Sequence, residues 1–153
     1  MEIKFKDVRI GQTFIWYGHE FTKLDDNLSI INPKNENKDI YFCCFDNVDN
    51  NYKMSLIRHF INNRYLGLLG LDTSCLKFNR GYCKLLSIEE YKKYKNLIKP
   101  CGRWWWLRSP HSDNSDNACC VDYYGYCGYN SVRDHDCAAR AAFNLKSDTL
   151  VLI

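Results

Sequence analysis

Short apolar runs separated by turn-forming residues limit the fold of this chain more than any other feature of its sequence. Over the first 45 residues apolar and polar residues alternate, and the runs end at Gly11, Gly18 or Asn32-Pro33. Alternation with a period of two is typical of strands, and closely spaced turns favour antiparallel hairpins. We therefore predict strands at residues 3–5, 13–17, 21–24, 28–31 and 40–45.

Two later segments have the signature of helices. Apolar residues recur at helical spacing from Ser55 to Tyr65. A second helix is predicted to begin at Ser87-Ile88-Glu89-Glu90, which has the form of a capping box, and to end near Lys99 because Pro100 cannot continue it. Neither segment carries a motif of catalysis, so both helices are predicted to be structural.

The composition changes after Pro100. Lysine is absent between Lys99 and Lys146, while Asn, Asp, Ser, Tyr, Cys and Gly become common. Further short strands are predicted at residues 104–108, 119–123, 140–145 and 149–153. The chain is within the usual size of one domain. We therefore expect a single α+β domain over residues 1–153, with hairpins and two helices in 1–99 and a strand-rich half in 100–153.

The charge distribution bears on partners. Residues 1–99 carry 16 basic and 12 acidic side chains, whereas residues 100–153 carry 5 and 6. Nucleic-acid binding needs a concentrated basic footprint, so we predict no nucleic-acid partner for the second half. The apolar runs are much shorter than the ~18 residues that span a bilayer, and no secretory signal is evident. A cytoplasmic location is expected, with display on a phage particle or an exported surface left open.

Nine cysteines raise the question of disulfides or metal. The number is odd and no secretory signal accompanies it, so free thiols are expected. Between residues 111 and 137 there is no C-x-x-C pair, and the adjacent Cys119 and Cys120 would chelate zinc awkwardly. The acidic residues there lack the D-x-D-x-D-G spacing of a calcium loop. We predict no metal and no other cofactor.

Several motifs, taken in order, resemble one family of bacterial and phage domains. They are S-x-I-R-x-x-[LI]-N at 55–62, L-S-x-E-E at 86–90, the specific W-W-L-R-S-P at 105–110, and a G-V-R-P-A-like segment at 138–142, where Ala138 and Ala141 replace Gly and Pro. The resemblance implies a C-type-lectin-like fold with a C-terminal lectin-type sheet, related to that of the formylglycine-generating enzymes. It also implies kinship with the variable proteins of diversity-generating retroelements, which diversify surface residues on a constant scaffold.

The resemblance also bears on the tryptophans. As parts of the W-W-L-R-S-P motif, Trp105 and Trp106 are expected in the core and Arg108 in a structural hydrogen-bond network. Successive side chains of a strand point to opposite faces, so at least one of the three consecutive tryptophans faces the core. Trp104 stays open as part of a sugar-stacking platform.

The composition of residues 111–137 agrees with such diversification. Adenine-directed mutagenesis of Asn codons keeps a pyrimidine in the third codon position. Of these 27 residues, 24 are Asn, Asp, His, Tyr, Ser, Gly, Cys or Arg, which codons with a purine second base and a pyrimidine third base can encode. The exceptions are Ala118, Val121 and Val132. Turn-rich loops are also rich in several of these residues, so ordinary loop composition remains the alternative.

We predict that residues 111–137 form a recognition surface for a protein or glycan. Tyrosine gives a large contact area at low entropic cost, and Asn and Ser give adaptable hydrogen bonds. The tyrosines are the expected anchors. The candidate residues are Asp113, Asn114, Asp116, Asn117, Cys120, Asp122, Tyr123, Tyr124, Tyr126, Tyr129, Asn130 and His135.

Two other functions stay open. The fold relationship to formylglycine-generating enzymes raises a thiol-dependent enzyme, yet no cysteine is singled out and fold analogy alone does not imply activity. The four histidines lack a motif that would pair a base with a nucleophile, so no catalytic residue is predicted. A phage effector that binds a host protein would use the same surface as the predicted recognition protein.

Overall fold

The computed structural model describes all residues, 1–153, and has twelve short strands and three short α-helices. The strands are β1 (Glu2–Lys4), β2 (Thr13–Trp16), β3 (His19–Lys23), β4 (Leu28–Ile31), β5 (Tyr41–Phe42), β6 (Cys83–Lys84), β7 (Trp105–Pro110), β8 (Asn117–Val121), β9 (Cys127–Ser131), β10 (Ala138–Ala139), β11 (Ala142–Asn144) and β12 (Leu150–Leu152). The helices are α1 (Leu56–Ile61), α2 (Arg64–Leu69) and α3 (Ile88–Tyr94). The predicted α+β class is confirmed. None of the helices combines the length and apolar character needed to cross a membrane.

The strands form two sheets, and each sheet contains strands from both halves of the sequence. The larger sheet has seven strands in the order β1-β12-β2-β3-β4-β11-β6, and every neighbouring pair is antiparallel. The smaller has the order β5-β10-β7-β8-β9, with one parallel pair, β10 and β7. Strands β11 and β12 thus complete the N-terminal sheet, while β5 joins the C-terminal one.

Two apolar clusters cover the two faces of the smaller sheet. The main cluster contains 26 buried residues and joins Phe21 and Phe143 of the larger sheet to Trp106 of the smaller. The second contains 13 and packs Trp105 against Tyr91 of α3. Strands β7 and β8 are therefore buried on both faces. A shift by one residue would exchange the two sets of side chains, so packing fixes their register.

The predicted helix at residues 55–65 is in fact two helices. Ser55 caps α1 as expected, its hydroxyl oxygen accepting the N–H of Arg58 at 3.1 Å. The helix then ends at Ile61, and the side-chain oxygen of the next residue, Asn62, accepts the N–H groups of Tyr82 at 2.7 Å and Cys83 at 3.0 Å. These tertiary hydrogen bonds hold Asn62 outside a continuous helix, and α2 starts again two residues later.

Helix α3 starts as predicted but ends early. The capping box is complete, because the Ser87 hydroxyl accepts the N–H of Glu90 and the Glu90 carboxylate accepts the N–H of Ser87. The helix ends at Tyr94 instead of near Lys99. Beyond it the chain makes tight turns, and Leu97 and Ile98 pack against the second apolar cluster. Burial of these two side chains replaces the last expected turn of helix.

The W-W-L-R-S-P segment joins the smaller sheet to α3. Trp105 and Trp106 are buried in different clusters, and the indole N–H of Trp106 donates to a backbone carbonyl. Arg108 donates to the carbonyl of Leu85 at 2.7 Å and forms an ion pair with Glu90. The structural roles predicted for these residues are confirmed.

Candidate ligand-binding surface

The candidate surface is built on the hairpin of β8 and β9 at the edge of the smaller sheet. Four of the five β8 residues are buried, whereas β9 is an edge strand with two exposed side chains, Cys127 and Tyr129. The sequence predicted a strand over 119–123 and none at β9. The predicted strand was wrong at both ends, since β8 begins at Asn117 and ends at Val121. Strand β9 was missed because Gly128 and Asn130 are typical turn residues.

The turn between β8 and β9 is held by Asp122. One carboxylate oxygen accepts the backbone N–H of Tyr124 at 2.8 Å and of Tyr126 at 3.0 Å. Gly125 has a φ of +88°, and its carbonyl accepts a hydrogen bond from the Tyr91 hydroxyl of α3 at 2.6 Å. Asp122 was predicted as a ligand contact, but half of its carboxylate is engaged in shaping the turn.

The four tyrosines of this segment are exposed, with accessible fractions between 52% and 82%. They are Tyr123, Tyr124, Tyr126 and Tyr129. The first three lie on the turn, and the fourth lies on β9. Each leaves most of a large aromatic side chain in contact with solvent although the backbone beneath it is hydrogen-bonded. That arrangement costs hydrophobic free energy in the isolated molecule, which binding of a partner would recover.

The tyrosines do not share one face. Tyr123 contacts Trp104 edge to face, with ring centroids 6.4 Å apart, and Trp104 packs against the main cluster. The ring of Tyr126 lies 5.5 Å from Nζ of Lys95, which directly follows α3 on the other side of the sheet. The hairpin tip therefore presents aromatic contacts toward both faces. Trp104 belongs to one of them, but it is only half exposed.

Tyr129 forms a third contact along the edge strand. Its ring lies 4.1 Å from that of His111, measured between centroids. Because His111 follows β7 and Tyr129 belongs to β9, the pair links the two strands that flank β8. The backbone N–H of Asp113 is bound by His111 Nδ1 at 3.0 Å. His111 therefore orders the start of the loop at residues 111–116, and its ring also contacts the ring of Tyr129.

Asn50 is a residue that the sequence analysis missed. Its side-chain amide donates to the carbonyl oxygens of His111, Asn114 and Asn117 at distances of 3.0–3.2 Å. The loop at residues 111–116 is therefore anchored from outside the segment. The side-chain oxygen of Asn114 accepts the N–H of Asp116 at 2.9 Å, which adds a local turn. No sequence signal marks Asn50, because its three partners are defined only by the fold.

Arg133 anchors the other loop. Its guanidinium lies 3.3 Å from a carboxylate oxygen of Asp116 and donates to the carbonyl oxygens of Asn47 and Val48. Asp116, a predicted contact, therefore has a structural partner, although 61% of its side chain stays exposed. Arg133 was absent from the predicted set and lies on the same surface.

Cys120 does not belong to the surface, and its prediction as a ligand contact was wrong. It is fully buried in the main cluster, because alternation along β8 turns it inward beside Cys137. Asn130 and Asn117 are half-buried, and the Asn130 amide donates to the Cys137 sulfur at 3.4 Å. Of the remaining predicted residues, Asp113 and His135 are exposed.

The thiols are free, and burial raises the pKa of several of them, whereas a hydrogen bond with Cys120 lowers the pKa of Cys137. All nine cysteines are unpaired. A hydrogen bond with Cys137, together with burial, raises the pKa of Cys120, and burial also raises the pKa values of Cys119 and of the exposed Cys127. A raised pKa lowers the thiolate fraction at neutral pH. No group of three or more His, Cys, Asp or Glu side chains is placed to hold a metal ion.

Comparison with known proteins gives one match. A family described only as a domain of unknown function (DUF6273) matches residues 78–147, a little under half of the chain. The matched segment extends from just before β6 to just after β11 and contains the whole candidate surface. No curated protein and no solved structure matches.

Proposed function

We propose that this chain is a non-enzymatic ligand-binding protein that holds a protein or glycan through the exposed residues of 111–137. The observation that carries the proposal is the exposure of four tyrosines on a hairpin whose backbone is fixed from several sides. Rigid backbone beneath exposed tyrosine lowers the entropy lost on binding. The proposal includes a C-type-lectin-like fold, in line with the resemblance of the motifs.

We further propose that this surface is a variable one, like those of diversity-generating retroelement proteins. The three residues of 111–137 that fall outside the adenine-directed codon set are Ala118, Val121 and Val132. All three are at most 1% exposed, so every exposed side chain of the segment belongs to the set. A nearby reverse transcriptase gene and an adenine-rich near-copy of the 3′ end would support diversification. Their absence would leave a binding domain with a constant surface.

No observation favours a thiol-dependent enzyme as strongly. A catalytic thiol needs access to substrate and a lowered pKa. Among the cysteines of the candidate surface, Cys119, Cys120 and Cys137 are buried, and the exposed Cys127 has a raised pKa. A phage effector that binds a host protein would use the same exposed tyrosines and differs only in the partner.

Array binding with a matched control tests the proposal. The hairpin variant replaces Tyr123, Tyr124 and Tyr126 with Ala, and the control replaces Tyr17 and Phe78, which are 51% and 66% exposed but lie outside the segment. Both variants and the unmodified protein are applied to arrays of glycans and of purified bacterial and phage proteins. Melting temperatures are measured in parallel.

The expected result is a set of ligands that the unmodified protein and the control retain and that the hairpin variant loses. Because the three tyrosines contribute little to the core, the hairpin variant should melt within a few degrees of the unmodified protein. Binding that survives the hairpin substitutions would reject the proposal. Unfolding of the hairpin variant would also reject it, because those tyrosines would then be part of the core.

A further inference from the structure

Strand β9 is an edge strand that lacks the usual protection against pairing with another chain. The four edge strands of the two sheets are β1, β5, β6 and β9. Strands β5 and β6 have only two residues each, and β1 has charged side chains at Glu2 and Lys4. Strand β9 has five residues and contains no charged residue and no proline. Short length, charge and proline are the common devices that prevent edge pairing, so β9 is the edge most open to a further strand.

The hydrogen bonds of the hairpin determine which backbone groups of β9 point outward. At one end the N–H of Asp122 donates to the carbonyl of Tyr126 at 2.9 Å, and at the other end the N–H of Val132 donates to the carbonyl of Asp116 at 2.8 Å. Bonded and non-bonded pairs alternate along an antiparallel ladder, and the register of β8 and β9 is continuous. Every second residue of β9 therefore bonds to β8, and the residues between them direct their backbone groups to the open edge.

Two residues of β9 have backbone groups that are free for another strand. Gly128 and Asn130 are the residues that bond to β8. Of the three outward residues, Ser131 is satisfied within the chain, because its N–H donates to the side-chain oxygen of Asn130 and its carbonyl accepts an N–H of the following loop. The N–H and carbonyl groups of Cys127 and Tyr129 have no partner in the chain. The edge thus exposes donors and acceptors at alternate positions.

These free groups can pair with those of an identical strand. Two antiparallel copies of β9 with Gly128 opposite Gly128 bring Cys127 of each copy opposite Tyr129 of the other. Outward residues that lie opposite each other exchange both N–H···O bonds, so this register uses every free group. A register centred on Tyr129 would instead set Cys127 against Ser131, whose groups are already engaged. The register centred on Gly128 is therefore favoured.

The side chains of the two strands also fit together in this register. Residues that lie opposite each other share a face, with Cβ atoms about 5 Å apart. The Tyr129 ring, which is 52% exposed, lies beside the exposed Cys127 of the other copy, and pairing removes part of both side chains from water. On the opposite face the central pair is Gly128 with Gly128, which allows the two backbones to approach closely.

The charges at the two ends of β9 are complementary in the antiparallel arrangement. Asp134 and Asp136 closely follow the end of β9. Lys92 and Lys95 are exposed and lie within electrostatic range of the first residue of β9, at its turn end, as does Asp122. Antiparallel pairing sets the acidic end of one copy beside the lysine-bearing end of the other. Parallel pairing would set like charges together.

We propose that β9 pairs antiparallel with β9 of a second copy of this chain, centred on Gly128, so that the two five-stranded sheets become one continuous sheet across a twofold axis. Tyr129 then contacts the second copy, while Tyr123, Tyr124 and Tyr126 stay outside the paired strands. The dimer does not depend on ligand binding, but it carries two tyrosine-bearing turns, and a repeated ligand that reaches both is held more tightly. The paired area is small, so the dimer dissociates on dilution.

Sedimentation velocity of the full chain between about 10 µM and 1 mM tests for the dimer. The expected result is a reversible equilibrium of monomer and dimer, whose dimer fraction falls as salt is added because the charged ends contribute. A monomer at every concentration would overturn the proposal. A trimer or an open-ended series of oligomers would also overturn it, because pairing of two identical edges closes the assembly at two copies.

Amide hydrogen exchange followed by NMR identifies the strand that pairs. The N–H groups of Gly128 and Asn130 should exchange slowly at every protein concentration, because they bond to β8. The N–H groups of Cys127 and Tyr129 should exchange fast in dilute solution and slowly in concentrated solution. Slow exchange of both in dilute solution would mean that the edge is closed within the chain. A dimer that leaves both amides unprotected would use another surface, and either result contradicts the proposal.

Two substitutions at one position separate the backbone from the side chain. Tyr129→Pro removes an outward N–H, and an edge position of this kind tolerates proline, so the variant should fold. Tyr129→Ala keeps the N–H and removes only the ring. The dissociation constant of the dimer should rise roughly tenfold or more in the proline variant and about threefold in the alanine variant. Equal effects would mean that the N–H of Tyr129 is not bonded in the dimer, which would refute the pairing.

A charge reversal tests the arrangement of the two ends without a change in β9. Lys95→Glu should raise the dissociation constant of the dimer about fivefold, because the substituted end then repels the acidic end of the other copy. Lys146→Glu is the matched control, since it makes the same change in net charge at an exposed position outside the hairpin. It should leave the dissociation constant unchanged. Equal weakening by the two variants would show a response to net charge alone and would contradict the antiparallel arrangement.

Discussion

At the scale of single residues, a few polar side chains join the helices to the sheets. Asn62 accepts hydrogen bonds from two backbone N–H groups at the start of β6 and just before it. Glu90 forms ion pairs with Lys84 and Arg108 and also caps α3. Each of these side chains has several partners, and several of those are half-buried backbone groups. Loss of one such side chain leaves the partners unpaired, which costs more than the hydrogen bonds alone contribute.

The substitution Asn62→Ala should therefore destabilise the folded protein. The N–H groups of Tyr82 and Cys83 would lose their acceptor, and the free energy of unfolding should fall by about 2 kcal/mol. Asn63→Ala is the matched control, because the Asn63 amide makes exposed contacts only within α1, to His59. The control should lose under about 0.5 kcal/mol in urea denaturation. Equal losses in both variants would refute the role assigned to Asn62.

Glu90 should give a pH-dependent contribution to stability. Partial burial by itself raises the pKa of Glu90, but hydrogen bonds from Lys84 and from the Ser87 N–H, with the charge of Arg108, lower it to about 2. Because the folded pKa lies below the unfolded one, the stabilisation is complete above about pH 4.5 and is lost as the pH falls toward 2.

The variant Glu90→Gln tests this pH dependence. It should lower the free energy of unfolding by roughly 1–2 kcal/mol at pH 7, and the difference from the unmodified protein should shrink as the pH falls below 4. Glu89→Gln, at the exposed neighbouring position, should have a small effect throughout. A difference for Glu90→Gln that stays constant between pH 7 and pH 3 would contradict the electrostatic explanation.

At the scale of elements, the β8–β9 hairpin depends on a glycine that the turn requires. Gly125 has a φ of +88°, and a Cβ added there would lie 3.2 Å from the Tyr91 hydroxyl. Gly125→Ala should therefore lower the free energy of unfolding by about 1–2 kcal/mol. Gly128→Ala is the control, since a Cβ at that position in β9 meets nothing within 4 Å.

Thermal unfolding measured by circular dichroism compares the two glycine variants. Gly125→Ala should melt several degrees below the unmodified protein, and Gly128→Ala should melt close to it. Equal melting temperatures for the two variants would mean that the turn tolerates a side chain at Gly125. The contact between α3 and the hairpin would then be weaker than described.

The elements differ in how far their sequence determines them. The capping box of α3 is local, and Ser87 and Glu90 were sufficient to predict where this helix begins. The break at Asn62 was not predictable, because the N–H groups that it binds lie about twenty residues away, at the start of β6 and just before it. The end of α3 depends likewise on burial of Leu97 and Ile98. Periodicity cannot detect β6 and β10, since each has only two residues.

At the scale of the whole molecule, the interleaved sheets make the two halves of the sequence mutually dependent. Strands β11 and β12 lie within the larger sheet, and the main cluster joins both sheets. We predict that the chain unfolds in one cooperative transition. Tryptophan fluorescence, which reports on Trp16, Trp105 and Trp106 of both sheets, should change at the same urea concentration as far-UV circular dichroism. Two separate midpoints would indicate two folding units.

The candidate surface shows where composition is informative and where it fails. Tyrosine and asparagine in a turn-rich segment indicated recognition, and the tyrosines are exposed. Composition could not separate Cys120 from the exposed Cys127, because only the strand register decides which of them faces the core. It could not indicate Asn50 either, since the role of Asn50 depends on contacts between distant parts of the chain.

The central claim is that residues 111–137 combine a fixed buried frame with side chains that are free to serve a ligand. Saturation mutagenesis of all 27 positions, with resistance to protease as the measure of folding, tests it most directly. Tyr123, Tyr124, Tyr126 and Tyr129 should accept nearly every residue, while Ala118, Val121 and Val132 should accept few. If the four tyrosines proved as intolerant of substitution as the three buried positions, they would be required for the fold, and the account of this segment as a ligand-binding surface would be contradicted.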